Sequence, residues 1–153
     1  QRAKLLDFAR AGGTLVVQYQ QYEVQQPGVA PYPMTVARPH DRVTVEESPV
    51  RIVDAASPVL AGPNRITSRD FEGWVQERSL YMPRTWADAY TPLIEMNDPG
   101  DPPQRGAILT APLGAGRYTY TGLALLRQIP AGVPGALRLF INLLSMGVKD
   151  GAL

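Results

Sequence analysis

The sequence predicts one α/β domain built on a mixed sheet. Three stretches predict it. Residues 1–19 run helix, Gly-Gly, strand, the second half of a βαβ unit. Residues 107–122 read as a β-hairpin, and those from Pro134 onward as an amphipathic helix able to cover a sheet. A chain of 153 residues buries a proper core within one domain, and 44% apolar with 19% charged residues is an ordinary globular balance. Fifteen prolines and fourteen glycines predict short elements joined by long loops.

The first helix, QRAKLLDFARA, places Leu5, Leu6, Phe8 and Ala9 on one side and Lys4, Asp7 and Arg10 on the other, and Gly12–Gly13 end it. Thr14 to Tyr19 (TLVVQY) is β-branched and apolar, as in a buried strand. The strand that should come before such a helix is missing. The chain is therefore expected to be a fragment, to expose apolar surface where upstream strands would lie, and to self-associate.

Gln20 to Pro39 is polar and proline-rich and predicts a long loop, with Tyr22, Tyr32 and Met34 as anchors. Short strands are predicted at Arg42–Glu46 and Val50–Val53, then another loop over Asp54–Ile66, where Pro58 and Pro63 oppose regular pairing. Thr67 and Asp70 stand at capping-box spacing, and Phe71, Trp74, Val75 and Arg78 predict two or three helical turns within Thr67–Leu80. Tyr81–Ala89 reads as irregular. Tyr90–Met96 reads as a strand whose Pro92 puts it at an edge or a strand start, and Asn97–Arg105 as a loop.

In the hairpin, AILTA is followed by the turn Leu113–Gly114–Ala115–Gly116 and by RYTYTG, with Tyr118 and Tyr120 on one face and Thr119 and Thr121 on the other. Pro134 suits a first helical position. Ala136, Leu137, Phe140, Ile141, Leu143 and Leu144 form the predicted apolar stripe, opposite Arg138, Asn142 and Ser145, and Gly147 is the expected stop. The hairpin is the nearest broad surface for that stripe.

Charge and composition exclude several functions. A net charge of +1 with scattered Lys and Arg gives no footprint for nucleic acid or anionic membrane, and no apolar run reaches the ~20 residues of a membrane span. Without cysteine there is no disulfide, thiolate metal site or cysteine nucleophile. His40, the single histidine, lies in Arg38–Pro39–His40–Asp41–Arg42. Beside Asp41 it could serve as a base or metal ligand, but one histidine makes no multi-histidine zinc site, and a structural role outweighs both. Glu46, Glu47, Asp98 and Asp101 read as solvated acids, and Gly114 and Gly116 as a hairpin turn rather than a phosphate loop, since no helix follows them. No serine sits in Gly-x-Ser-x-Gly. Tyr118, Tyr120, Trp74, Trp86, Arg78 and Arg127 are of the amphipathic kind that lines sugar or partner surfaces, as well as core edges. The candidate ligand-binding set is Arg38, His40, Asp41, Trp86, Tyr120 and Arg127, with no catalytic residue, metal or cofactor expected.

Five blocks, LLDFARAGGTLVVQY, PHDRVTVEESPVRIVD, SPVLAGPNRIT, WVQERSLYMP and GRYTYTGLALLRQIPAGVPGALRLFINLL, lie between Leu5 and Met146, the stretch over which a resemblance runs. Together they resemble the C-terminal glutamine-amidotransferase-like region of large bacterial PIG-L (LmbE-like) deacetylases, most specifically at Gly116–Gly122 and Pro130–Ala136. The resemblance implies a flavodoxin-like three-layer α/β sandwich, represented here by its later strands and helices. It also implies a zinc-dependent N-deacetylase in a separate N-terminal domain, with an Ala-His-Pro-Asp-Asp type motif. That motif is absent here, where Pro39 precedes His40, and an amidotransferase Cys-His-Glu triad lacks its cysteine, so no catalytic residue carries over. The implied role is a non-catalytic accessory domain serving a deacetylase of N-acetylated sugars or related amides, by substrate recruitment, domain packing or oligomerisation. The alternative is a carbohydrate-binding or trimerisation module similar to those of some β-galactosidases. A third reading is a hydrolase using His40 and Asp41. The expected partners are an upstream deacetylase domain of the same polypeptide, a second copy of the chain and carbohydrate; no cofactor, nucleic acid or membrane is expected.

Overall fold

Alternation in Gly116–Thr121 sets the central sheet, because it sends two tyrosines to one face and two threonines to the other. The computed structural model describes residues 1–146. Strand β1 is Thr14–Gln18, β2 Met34–Val43, β3 Val50–Ile52, β4 Ser79–Trp86, β5 Thr91–Pro92, β6 Ile94–Met96, β7 Ile108–Leu113 and β8 Gly116–Thr121. Helix α1 is Arg2–Arg10, α2 Pro58–Ala61, α3 Leu125–Gln128 and α4 Pro134–Ser145. Four strands form a mixed sheet in the order β1-β8-β7-β5. In it β8 runs parallel to β1, with Thr14 opposite Arg117, and antiparallel to β7, with Ile108 opposite Thr121. Two smaller antiparallel pairs, β2 with β4 and β3 with β6, complete the α/β arrangement.

The sheet separates two apolar cores. On one face Leu109, Ala111, Tyr118 and Tyr120 pack with Leu6 and Ala9 of α1 and Met34 and Val36 of β2. On the other, Ile108 and Leu123 join Ala136, Leu139 and Leu143 of α4, with Phe71, Trp74 and Met82. The buried hydroxyls of that second face are satisfied locally: Thr119 Oγ1 donates to Thr110 Oγ1 at 3.2 Å, and Thr121 Oγ1 to the Ala107 carbonyl at 3.0 Å.

Several expectations are corrected. The last part of the predicted Gln20–Pro39 loop is strand, and β2 runs through Pro39. It does so because its ladder with β4 is broken: Val36 opposes Pro83, the next paired residue, Asp41, opposes Met82, and Ala37–His40 bulge outward. The strand expected at Arg42–Glu46 stops at Val43, because the Asp98 carboxylate takes the Thr44 and Val45 amides at 2.8 and 3.0 Å. Tyr81–Ala89, read as irregular, is mostly β4. The helix expected over Thr67–Leu80 is a single 3-10 turn, Ser68–Phe71. Its capping box forms, but Gly73 and Gln76 adopt left-handed conformations (φ +71° and +62°) that end any helix. Tyr90–Met96 divides into β5, at the sheet edge as Pro92 requires, and β6, which pairs with β3.

Helix α4 begins at Pro134 as expected, but its buried face is rotated. Asn142 is buried, while Ile141 and Leu144 are 48% and 62% exposed. The helix packs chiefly on the 3-10 turn, α2 and α3 rather than on the hairpin. Asn142 causes the rotation: its amide donates to the Val59 and Asn64 carbonyls at 2.8 and 2.6 Å, and its oxygen accepts the Asn64 amide at 2.9 Å. Gly147 lies outside the described residues. Helix α1 buries Leu6 and Ala9 but exposes Leu5 and Phe8. Strand β1, expected to be buried, is half-buried throughout, since no described strand pairs with its outer edge.

Candidate functional site

The bulge in β2 builds the site. Freed from the ladder, Ala37–His40 carry two side chains out of the sheet. The His40 ring stacks on Tyr81, centroids 3.9 Å apart and planes 20° from parallel. The Arg38 guanidinium lies over the Tyr22 ring, 3.7 Å from its centroid. Tyr22 meets Tyr81 edge-on at 5.6 Å and His40 at 6.4 Å, and Tyr19 meets Tyr81 edge-on at 6.0 Å. All four rings are half-buried, and Arg38 is exposed.

Tyr19 belongs here because it follows β1 directly. Its amide bonds the Thr121 carbonyl at 2.8 Å, closing the carboxyl end of the parallel β1–β8 pair. In open α/β sheets the crevice outside the carboxyl ends of the strands is where ligands bind. The Tyr19 hydroxyl donates to Glu77 Oε1 at 2.7 Å, and Arg127 Nε of α3 donates to the same oxygen at 3.1 Å. Burial, and then the bond to Glu77, push the Tyr19 phenol well above its usual range, so it remains a donor. Below this edge Gln128 holds the loop: its amide group spans the Val75 amide at 2.8 Å and the Val75 carbonyl at 2.9 Å.

The backbone is strained at this place. Among the described residues, the non-glycine residues with positive φ are Tyr19 (+48°), Gln76 (+62°) and Tyr81 (+52°). Two of them are rings of the cluster, and the third adjoins Glu77. Each costs roughly 1–2 kcal/mol relative to an ordinary conformation. The surroundings enforce them: Tyr120 donates from the core to the Tyr81 carbonyl at 2.9 Å, and the Gln76 amide is bonded by the Glu46 carboxylate. Strain gathered in one partly exposed patch is a feature of functional surfaces.

The six residues singled out from the sequence therefore separate. Arg38, His40 and Arg127 stand on the aromatic patch, and Tyr120 supports it from beneath, fully buried. Asp41 and Trp86 line a different groove of about 490 Å³, with Arg84, Pro83, Pro102 and Gln104. There Arg84 binds Asp41 through two hydrogen bonds at 2.9 and 2.5 Å, so Asp41 has a partner other than His40. Sequence reasoning missed Tyr19, Tyr22, Tyr81 and Glu77. Tyr22 and Tyr81 were visible as aromatics in segments read as loop or irregular. Glu77 carried no signal, because its partners are 58 and 50 residues away.

Chemically, the patch offers ring faces, one exposed guanidinium and a Tyr–Glu–Arg hydrogen-bonded edge, a set suited to recognition. Among the described residues no cluster of three or more His, Asp or Glu side chains is placed to hold a metal ion. No helix among them is long and apolar enough to cross a membrane.

No known family model matches the chain, and no curated protein matches it. Among solved structures the chain is similar to the Cytoplasmic Protein STM3548 from Salmonella typhimurium, with a TM-score of 0.61 and 14% identity, over 97% of this chain and 61% of that one. The chain thus spans about three fifths of that protein's length. At this identity the likeness shows the fold alone: the two share an α/β architecture.

Proposed function

We propose that this chain is a non-catalytic accessory domain of a PIG-L (LmbE-like) N-deacetylase, flavodoxin-like in architecture, that recruits carbohydrate to the enzyme through its aromatic patch. The observation that carries the reading is that Tyr19 and Tyr81, two of the three strained non-glycine residues among those described, belong to the Tyr19–Tyr22–His40–Tyr81 cluster, while the third, Gln76, adjoins Glu77, the partner of Tyr19. A backbone held off its minimum to present rings at the carboxyl end of parallel strands supports recognition. Aromatic rings bordered by hydrogen-bonding groups match the apolar faces and hydroxyl rims of sugars.

Two measurements test it. Calorimetric titration with N-acetylated and plain monosaccharides should show saturable binding that Tyr81→Ala weakens at least tenfold. Assays of the same chain for glutaminase and for zinc-supplemented amide hydrolysis should show no turnover; clear turnover in either refutes the accessory reading. A second reading, an oligomerisation module, is favoured by the outer edge of β1, which no described strand pairs. It gains ground if the chain forms a defined oligomer and binds no sugar.

A further inference from the structure

We infer that the ligand of the aromatic patch bears an anionic group, a carboxylate or a phosphate, on its sugar. This rests on the recognition reading above and names the class of ligand. The reason is the state of Arg38. Arg84, Arg127 and Arg138 are each tied to a carboxylate, at 2.5, 3.1 and 2.8 Å. Arg38 has no ion pair and no side-chain hydrogen bond among the described residues; its guanidinium stands over the face of Tyr22. Its N–H donors are therefore without a side-chain acceptor, and the guanidinium fork matches the two oxygens of a carboxylate or phosphate.

The acids around the patch do not compete for it. Glu77 Oε1 is occupied by the Tyr19 hydroxyl and Arg127 Nε, Glu46 by the Gln76 amide, and Asp41 by Arg84. Arg127 engages Glu77 through Nε alone, which leaves its two terminal amino groups as further donors. Contacts run continuously from Arg127 through Glu77, Tyr19 and Tyr81 to His40, and through Tyr22 to Arg38. The patch therefore has a cation at each end and rings between them. A neutral sugar would use the rings and leave the Arg38 fork to water. An acidic sugar uses both.

The test is calorimetric titration of the chain with glucose, glucuronate and glucose 6-phosphate, at low and at 0.5 M salt. One or both acidic sugars should bind about tenfold more tightly than glucose, since a hydrogen bond to a charged group is worth about twice a neutral one. Salt should reduce that preference. Comparing glucuronate with glucose 6-phosphate tells which anion fits. Arg38→Gln should bring the acid-to-neutral ratio to within about twofold, while Lys4→Gln on α1 should leave the ratio intact. Far-ultraviolet dichroism and melting of Arg38→Gln confirm that this exposed replacement is folded. Equal binding of acidic and neutral sugars, or an acid preference that survives Arg38→Gln, overturns the inference while sparing the carbohydrate reading. Binding by none of the three overturns the inference, and if the N-acetylated monosaccharides do not bind either, the carbohydrate reading falls with it.

Discussion

Asp98 ties three separate loop positions to one carboxylate. It accepts the Thr44 and Val45 amides at 2.8 and 3.0 Å and the hydroxyls of Thr44 and Ser48 at 3.0 and 2.7 Å. Burial alone would raise its pKa, but these four bonds outweigh that effect and hold the carboxyl below its usual range. A depressed folded pKa contributes stability above the unfolded value of about 3.9, and that contribution is lost as pH falls through the folded one. Glu95, lowered by hydrogen bonds from Arg105 and Arg51, acts in the same direction. Urea unfolding measured between pH 7 and 3 should therefore show stability falling at the acid end, with a shallower fall in Asp98→Asn. Two neighbouring tyrosines make an internal comparison. The Tyr118 hydroxyl is buried with no described partner, whereas that of Tyr120 reaches the Tyr81 carbonyl. Tyr118→Phe should be neutral or stabilising by up to about 1 kcal/mol, and Tyr120→Phe should cost about 1 kcal/mol, both read by chemical denaturation.

At the scale of elements, α4 depends on two small decisions. Gly135 lets the helix press on the backbone of Asp70, where a Cβ would overlap it. Alanine would gain about 1 kcal/mol of helix propensity, but backbone cannot move aside as a side chain can, so Gly135→Ala should be destabilising by about 1–3 kcal/mol. Asn142→Leu leaves the Val59 and Asn64 carbonyls buried without their donor and should cost about 1–3 kcal/mol, seen as a lower denaturation midpoint. The sequence made some elements legible and hid others for physical reasons. The hairpin β7–β8 and the position of α4 rest on local signals: period-2 alternation, a glycine turn and a proline start. Strand β2 and strand β4 hide behind Pro39 and Pro83, because a bulge that tolerates proline is set by a partner strand some forty residues away. The same bulge makes the candidate site. His40 and Arg38 could be picked out by residue type, but their ring partners Tyr81 and Tyr22 only by the fold.

Over the whole molecule, apolar surface gathers where the sheet ends. Leu5 and Phe8 are 53% and 58% exposed on α1, no described strand pairs with the outer edge of β1, and a groove lined by Leu5, Leu15, Val17 and Val29 lies alongside. Free edges and apolar faces of this kind attract other chains. The isolated chain should bind a hydrophobic dye and sediment as concentration-dependent oligomers, and Phe8→Glu with Leu5→Glu should reduce both. A monodisperse monomer without dye binding would contradict this. The central claim is that the aromatic patch is a recognition surface. Its most direct test is mapping of backbone amide shifts in the ¹⁵N-labelled chain during titration with neutral and acidic sugars. The expected result is saturable shifts confined to Tyr19, Tyr22, Arg38, His40, Glu77 and Tyr81 and their immediate neighbours. Saturable shifts located in the Asp41–Trp86 groove instead, or none at any sugar concentration, would contradict it.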